Sequence, residues 1–169
     1  YLPHLLALIT AFCSLIYEFN LSQTLSATLG GTYLRYATAI GIFTFALGLG
    51  SCAYGVATRR YGRKKLLLAS QLALCVLGAI GPWWVALCNP HGAVGWQAAA
   101  LEALSYVPVL VIGLLSGLEL PLLMSWSAGA SASLSVLAFD YFGMFLASVA
   151  FPAVLMPQLG VFVTSALAA

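Results

Sequence analysis

Four carboxylates, Glu18, Glu102, Glu119 and Asp140, stand inside long apolar stretches of this 169-residue chain. A charged acid at the centre of a hydrocarbon layer costs about 3 kcal/mol on insertion scales, so each is a candidate for function. Spaced acids of this kind can line a proton or cation pathway. They can also hold a polyamine, whose flexible chain carries several ammonium groups. Tyr17, Tyr36 and Tyr106 would add aromatic faces for such a cation. The competing reading is structural: each acid pairs with an arginine, a hydroxyl, or a backbone donor freed near Pro108 or Pro121. Other chemistry is not encoded. There is no nucleophile elbow, P-loop, HExxH or GxGxxG, so no catalytic residue is assigned and neither a metal nor a cofactor is expected. His4 and His91 sit near span ends, and no histidine pair is placed at mid-depth to ligate a haem or pigment. Cys13, Cys52, Cys75 and Cys88 form no CxxC pair and read as small hydrophobes.

The elements that must position these acids are helices in lipid. Hydrophobic residues make up 63% of the chain and charged residues 6%, whereas a soluble domain carries about a quarter charged. Too few polar groups remain to cover a globular surface, so a lipid bilayer is the implied partner. A membrane helix needs about 20 mostly apolar residues. Five stretches qualify, 3–29, 36–58, 65–87, 96–126 and 134–156, and a sixth begins at 161–169. The expected fold class is all-α: a single transmembrane domain over residues 1–169, a polytopic helix bundle of five complete spans plus the start of a sixth. A first residue other than Met, and a last residue within an apolar run, give the expectation of a segment of a longer chain. The opening stretch lacks the basic head and small-residue cleavage site of a signal peptide. Gly30-Gly31, Asn89-Pro90-His91-Gly92 and Pro157-Gln158-Leu159-Gly160 read as turns. Pro108 and Pro121 are expected to kink the fourth span.

Five of the six cations, Arg59, Arg60, Arg63, Lys64 and Lys65, crowd one short loop. Such a cluster faces the cytoplasm by the positive-inside rule and is too local for a nucleic-acid surface. The N-terminus is then cytoplasmic. Depth sorts the acids: Glu18 and Glu102 fall near Arg35 on the far side, Glu119 and Asp140 near Arg59 and Arg60. An arginine at a helix end can reach inward on its long stem, so an inner ion pair of Asp140 with Arg59 or Arg60 is expected.

Small residues give the packing. Ala37, Gly41, Thr44, Gly48, Ser51 and Gly55 recur at alternating steps of four and three, which holds one face toward a partner helix. Gly41, Gly48 and Gly55 are therefore expected to face another helix. Gly143, with Asp140, Ala147 and Ala150, makes a similar seam in the fifth span. Thr10, Ser14, Glu18, Ser22, Ser26 and Gly30 recur at every fourth position, as a ridge for a crossing helix. Short connections give the expectation that consecutive helices are antiparallel neighbours.

Four stretches carry a family resemblance: SLIYEFNLSQTLSATLGGT (14–32), IGIFTFALGLGS (40–51), IGLLSGLELPLL (112–123) and VLAFDYFGMFLASVAFPAVLMPQLG (136–160). Together they resemble the membrane region of bacterial spermidine synthase-like proteins, and Glu18, Glu119 and Asp140 stand at what look like motif positions of that family. The resemblance implies a bacterial inner-membrane location. In that family this region often precedes a cytoplasmic Rossmann-like aminopropyltransferase domain, and a sixth span would deliver the chain to the cytoplasm. The glycine-rich nucleoside loop and acidic polyamine residues of that domain are absent here, so no catalytic residue carries over. Separately, GVATRRYGRKK (55–65) is similar to a loop of major-facilitator transporters, with Arg59 where an acid is usual. A plain positive-inside loop is the better explanation of this stretch.

The expectation from these features is a non-catalytic membrane domain, not an enzyme in this segment, acting as anchor, accessory or cationic-solute-binding module. Two further readings are a structural subunit of a larger energy-transducing membrane complex and a transporter-like half-bundle. The expected partners are lipid, other membrane subunits or a second copy, and a polyamine or other cationic solute, with no nucleic acid.

Overall fold

An apolar run away from water must satisfy its own amides, and a helix does this within one segment. The computed structural model of the chain describes residues 2–89, 92, 94–127 and 129–169. Its helices are α1 (Leu2–Leu29), α2 (Thr32–Tyr61), α3 (Arg63–Leu87), α4 (Trp96–Ser105), α5 (Val107–Met124), α6 (Ala130–Ala150) and α7 (Met156–Ala168), with a wide π turn, Phe151–Leu155, joining the last two. No strand occurs among the described residues. Five helical stretches are long and apolar enough to cross a membrane: Pro3–Leu29, Tyr33–Tyr61, Arg63–Leu87, Trp96–Met124 and Ser131–Ala168.

Proline and glycine set the interruptions. The helical stretch Trp96–Met124 is interrupted beside Pro108, as expected, and divides there into α4 and α5. The chain turns at Tyr106, and Pro108 opens α5 near its first position, where a missing N–H costs nothing. Ser105 Oγ donates to the Glu102 carbonyl at 2.6 Å, covering an acceptor left over at the end of α4. Pro121 stays within α5. Gly160, at φ 71° and ψ 177°, reverses the chain inside α7. The residues after it run back beside α1 and α3. Asn20 Nδ2 donates to the Val161 carbonyl at 2.9 Å, Trp83 packs on Phe162 at 4.7 Å between ring centroids, and the Ser165 hydroxyl donates to the Gly78 carbonyl. The Pro90–His91 part of the expected turn lies outside the described residues.

The expectation of consecutive neighbours holds only in part. α1 and α2 pack together, but α2 and α3 scarcely meet. The main partners are α2 with α5 and α1 with α6. Each of these pairs runs parallel: Ala46 and Phe43 lie against Gly113, and Leu47 against Gly117. His4 meets Phe139, Leu8 meets Gly143, and Phe19 meets Phe151. Parallel packing needs an intervening span, so it brings together elements distant in sequence.

Polarity runs opposite to that of a soluble domain. Leu34, Phe45, Val56, Leu68, Leu87, Tyr141 and Phe145 are exposed, while Glu18, Asn20, Ser22, Glu119, Asp140 and Thr164 are buried. An exposed apolar surface of this extent would drive association in water.

The glycine seam of α2 is a correction. Gly41, Gly48 and Gly55 are exposed, and a Cβ added at any of them would meet nothing. α2 instead meets α5 through Gly50, where a Cβ would overlap the Leu114 carbonyl. Gly113 and Gly117 reciprocate against the backbones of Phe43 and Leu47, and Ser51 Oγ donates to the Gly117 carbonyl at 2.8 Å. Close approach needs small residues on both helices, and only α5 answers with glycines four apart. Gly143 lies against the Leu8 backbone, with Asp140 and Ala147 buried on the same face of α6.

Candidate functional site

A helix repeats its face about every fourth residue. On α1 this puts Thr10, Ser14 and Glu18 in one row toward the bundle interior. α5 faces that row, and Ser14 Oγ donates to Ser116 Oγ at 2.8 Å. Three residues on, Glu119 projects from α5 into the same space, and Asp140 enters from α6. These side chains line a cavity of about 240 Å³ between α1, α2, α5 and α6, with Phe43, Leu47 and Met144 as apolar wall. α2 and α6 scarcely touch, and the cavity opens between them, with exposed Thr44 at its rim.

All three acids are buried, Glu119 most deeply at 3% exposed. Glu119 Oε1 has no hydrogen-bond partner among the described residues. Asp140 is close enough to Glu119 for like-charge repulsion. Among the described residues, no lysine or arginine lines the cavity. An acid with an open acceptor and no counter-charge is expensive in a low-dielectric interior, so the arrangement favours an incoming cation. Glu119 also borders a second cavity of about 290 Å³ on the other side of α1, beside Cys13, Tyr17 and Gln71. Among the described residues, no three His, Cys, Asp or Glu side chains converge closely enough to hold a metal ion.

The depth sorting of the acids needs two corrections. Glu18 does not join Glu102 and Arg35. It shares the cavity with Glu119 and Asp140, in the row of α1 that also carries Thr10 and Ser14. Glu102 pairs with Arg35 at the edge of the bundle, with half-exposed side chains, and does not reach the cavity. The expected inner pair is absent among the described residues. Arg59 and Arg60 are exposed at the end of α2, about 12 Å beyond Ser51, which lines the same cavity as Asp140. Arg60 lies over the Tyr61 ring, 5.4 Å from its centroid. His4 packs edge-on against Phe139 at 5.3 Å, and His91 lies outside the described residues. Gly113 and Gly117 were missed as packing residues, although their spacing of four was legible.

No family model matches the chain, and no solved structure matches it. Curated proteins do. The chain is 34% identical over 158 residues to polyamine aminopropyltransferase 2 of Ralstonia nicotianae, covering 90% of this chain and 30% of that protein. It is 31% identical over 156 residues to polyamine aminopropyltransferase 1 of Streptomyces coelicolor, covering 89% of the chain and 28% of the relative. With the polyamine aminopropyltransferase of Leptospira interrogans the identity is 30% over 160 residues, with 90% and 30% coverage. The chain thus spans about 30% of the length of the relatives it matches. These relatives are named as enzymes, which overturns the expectation of a non-catalytic domain and of no enzymatic activity. The error has a simple cause: a catalytic motif absent from one third of such a protein says nothing about the other two thirds. Along nearly the whole of its length this chain is similar to polyamine aminopropyltransferases.

Proposed function

We propose that this chain is the membrane-spanning region of a polyamine aminopropyltransferase, an enzyme that transfers an aminopropyl group to a polyamine. The observation that carries the reading is the similarity over 90% of the chain, which leaves too few residues unmatched to omit any of the five long apolar stretches, the shortest being 25 residues. The exposed apolar side chains face lipid, and the buried acids face one another across the interior. The loop of Arg59, Arg60, Arg63, Lys64 and Lys65 and the N-terminus lie on the cytoplasmic side of a bacterial inner membrane. Up-down alternation then sends α5 toward the cytoplasm and α6 away from it, in keeping with the parallel pairs α2–α5 and α1–α6.

The test is to express the complete gene in bacteria and assay washed inner membranes for aminopropyl transfer to a diamine. Transfer that stays with the membranes after an alkaline wash is the expected result. A fully soluble protein, or membranes with no transfer, would overturn the reading. Orientation is checked separately with Lys64→Cys in a background without the native cysteines. A membrane-impermeant thiol reagent should label it only after the inner membrane is opened, and labelling from the periplasmic side would reverse the topology.

A further inference from the structure

We infer that the cavity between α1, α2, α5 and α6 binds an aliphatic polyamine, with one ammonium at Glu18 and another between Glu119 and Asp140. The inference rests on the proposed function for the identity of the amine; the geometry by itself asks for a slender aliphatic cation charged at both ends.

The register fixes the spacing of the acids. α1 and α5 run antiparallel, since α1 and α2 form a hairpin and α2 and α5 are parallel. The Ser14–Ser116 bridge sets their alignment, and Ala7 clustering with Leu122 and Leu123 confirms it. Glu18 is one turn from Ser14 in one direction, and Glu119 is nearly one turn from Ser116 in the other. At about 1.5 Å per residue the two acids stand roughly 10 Å apart along the axis. Between them lie the Ser14 and Ser116 hydroxyls, already bonded to each other, with Leu47 as apolar wall, and Phe43 stands at the level of Glu18 beside Gly113. An ammonium can rest on that ring face as well as on the acid.

Other occupants fit less well. A hard metal ion needs several converging oxygens, and among the described residues no acid triad converges. An anionic headgroup would be repelled by three acids without a counter-charge. A bulky solute is excluded by size, because about 240 Å³ falls below the roughly 300–1,000 Å³ of pockets for drug-sized ligands. A polyamine resolves what the chain leaves open: it supplies donors to the unpartnered Glu119 Oε1 and places methylenes against the apolar wall. The gap between α2 and α6 gives it an entry from the side.

The experiment uses the complete protein in lipid nanodiscs and a spermidine analogue bearing a photoreactive diazirine. Cross-linked peptides are mapped by mass spectrometry, with excess unlabelled spermidine as competitor. Competed labelling of α1, α2 or α5 around Glu18, Phe43 and Glu119 is expected. It should fall at least tenfold in Glu18→Gln and Glu119→Gln, and be retained in Glu119→Asp and Glu102→Gln. Glu119→Asp keeps the charge and guards against a variant that merely misfolds. Labelling confined to the part of the protein beyond this chain, or equal labelling in the Gln variants, would overturn the inference. So would competition by sodium as effective as that by spermidine. Aminopropyl transfer is measured on the same preparations. Cavity labelling without transfer would sink the enzyme reading alone, and transfer without cavity labelling would sink this inference alone.

Discussion

The two faces of α2 carry similar glycines and opposite environments. On one face Gly50 lies against the α5 backbone, with Gly113 and Gly117 pressed back against α2. On the other, Gly41, Gly48 and Gly55 look outward with nothing within reach of an added Cβ. The difference teaches that a row of small residues reports only an opportunity for close approach. What converts it to contact is a matching row on the partner, with hydroxyls such as Ser51 bonding across the seam.

The comparison can be broken most severely at Gly117. A leucine there would drive its side chain into the Leu47 backbone, and overpacking of this kind costs about 3 kcal/mol. Gly117→Leu should therefore lose most of its folded yield in detergent, as followed by size-exclusion chromatography and thermal unfolding; a wild-type profile would mean that α2 and α5 are not closely packed. Ser51→Ala removes the Ser51–Gly117 hydrogen bond and should lower stability by only about 0.6 kcal/mol, the average for interhelical bonds in membranes. Gly48→Leu should be the mildest, with unfolding shifted by less than about 0.5 kcal/mol. If it proves as damaging as Gly117→Leu, the outer row is covered by a second copy or another membrane subunit, and the two faces are alike after all.

Much of the fold was legible because it follows from local chemistry. A run such as 36–58, with no charge between Arg35 and Arg59, is long and apolar enough to predict a helix that could cross a membrane, and α2 extends it by a few residues at each end. The break at Tyr106 was less legible: Pro108 signals an interruption, but whether it bends a helix or begins one depends on what receives the freed carbonyls. Helix pairing was not legible from chain order. Depth and the reach of an arginine stem put Asp140 beside Arg59 or Arg60, yet α6 pairs with α1 and scarcely meets α2. The acids themselves stood out by type. Their grouping depended on rotation about each helix axis, which depth ignores. For Glu18 the signal was present in its row with Thr10 and Ser14, and the cavity follows that row.

The wide turn Phe151–Leu155 has a consequence for how α6 and α7 serve different neighbours. Its last bond, from the Met156 N–H to the Phe151 carbonyl, reaches back five residues instead of four. One extra residue in a helix advances the phase of everything after it by about 100°. Before the turn, Asp140, Gly143 and Ala147 are aimed at the interior; after it, the Thr164 hydroxyl ties back to the Leu155 carbonyl at 3.2 Å and the returning segment docks on α3. The wide turn rotates residues 156–159 relative to α6 while Asp140 keeps its place in the cavity, and the reversal at Gly160 then carries the rest of α7 back to α1 and α3.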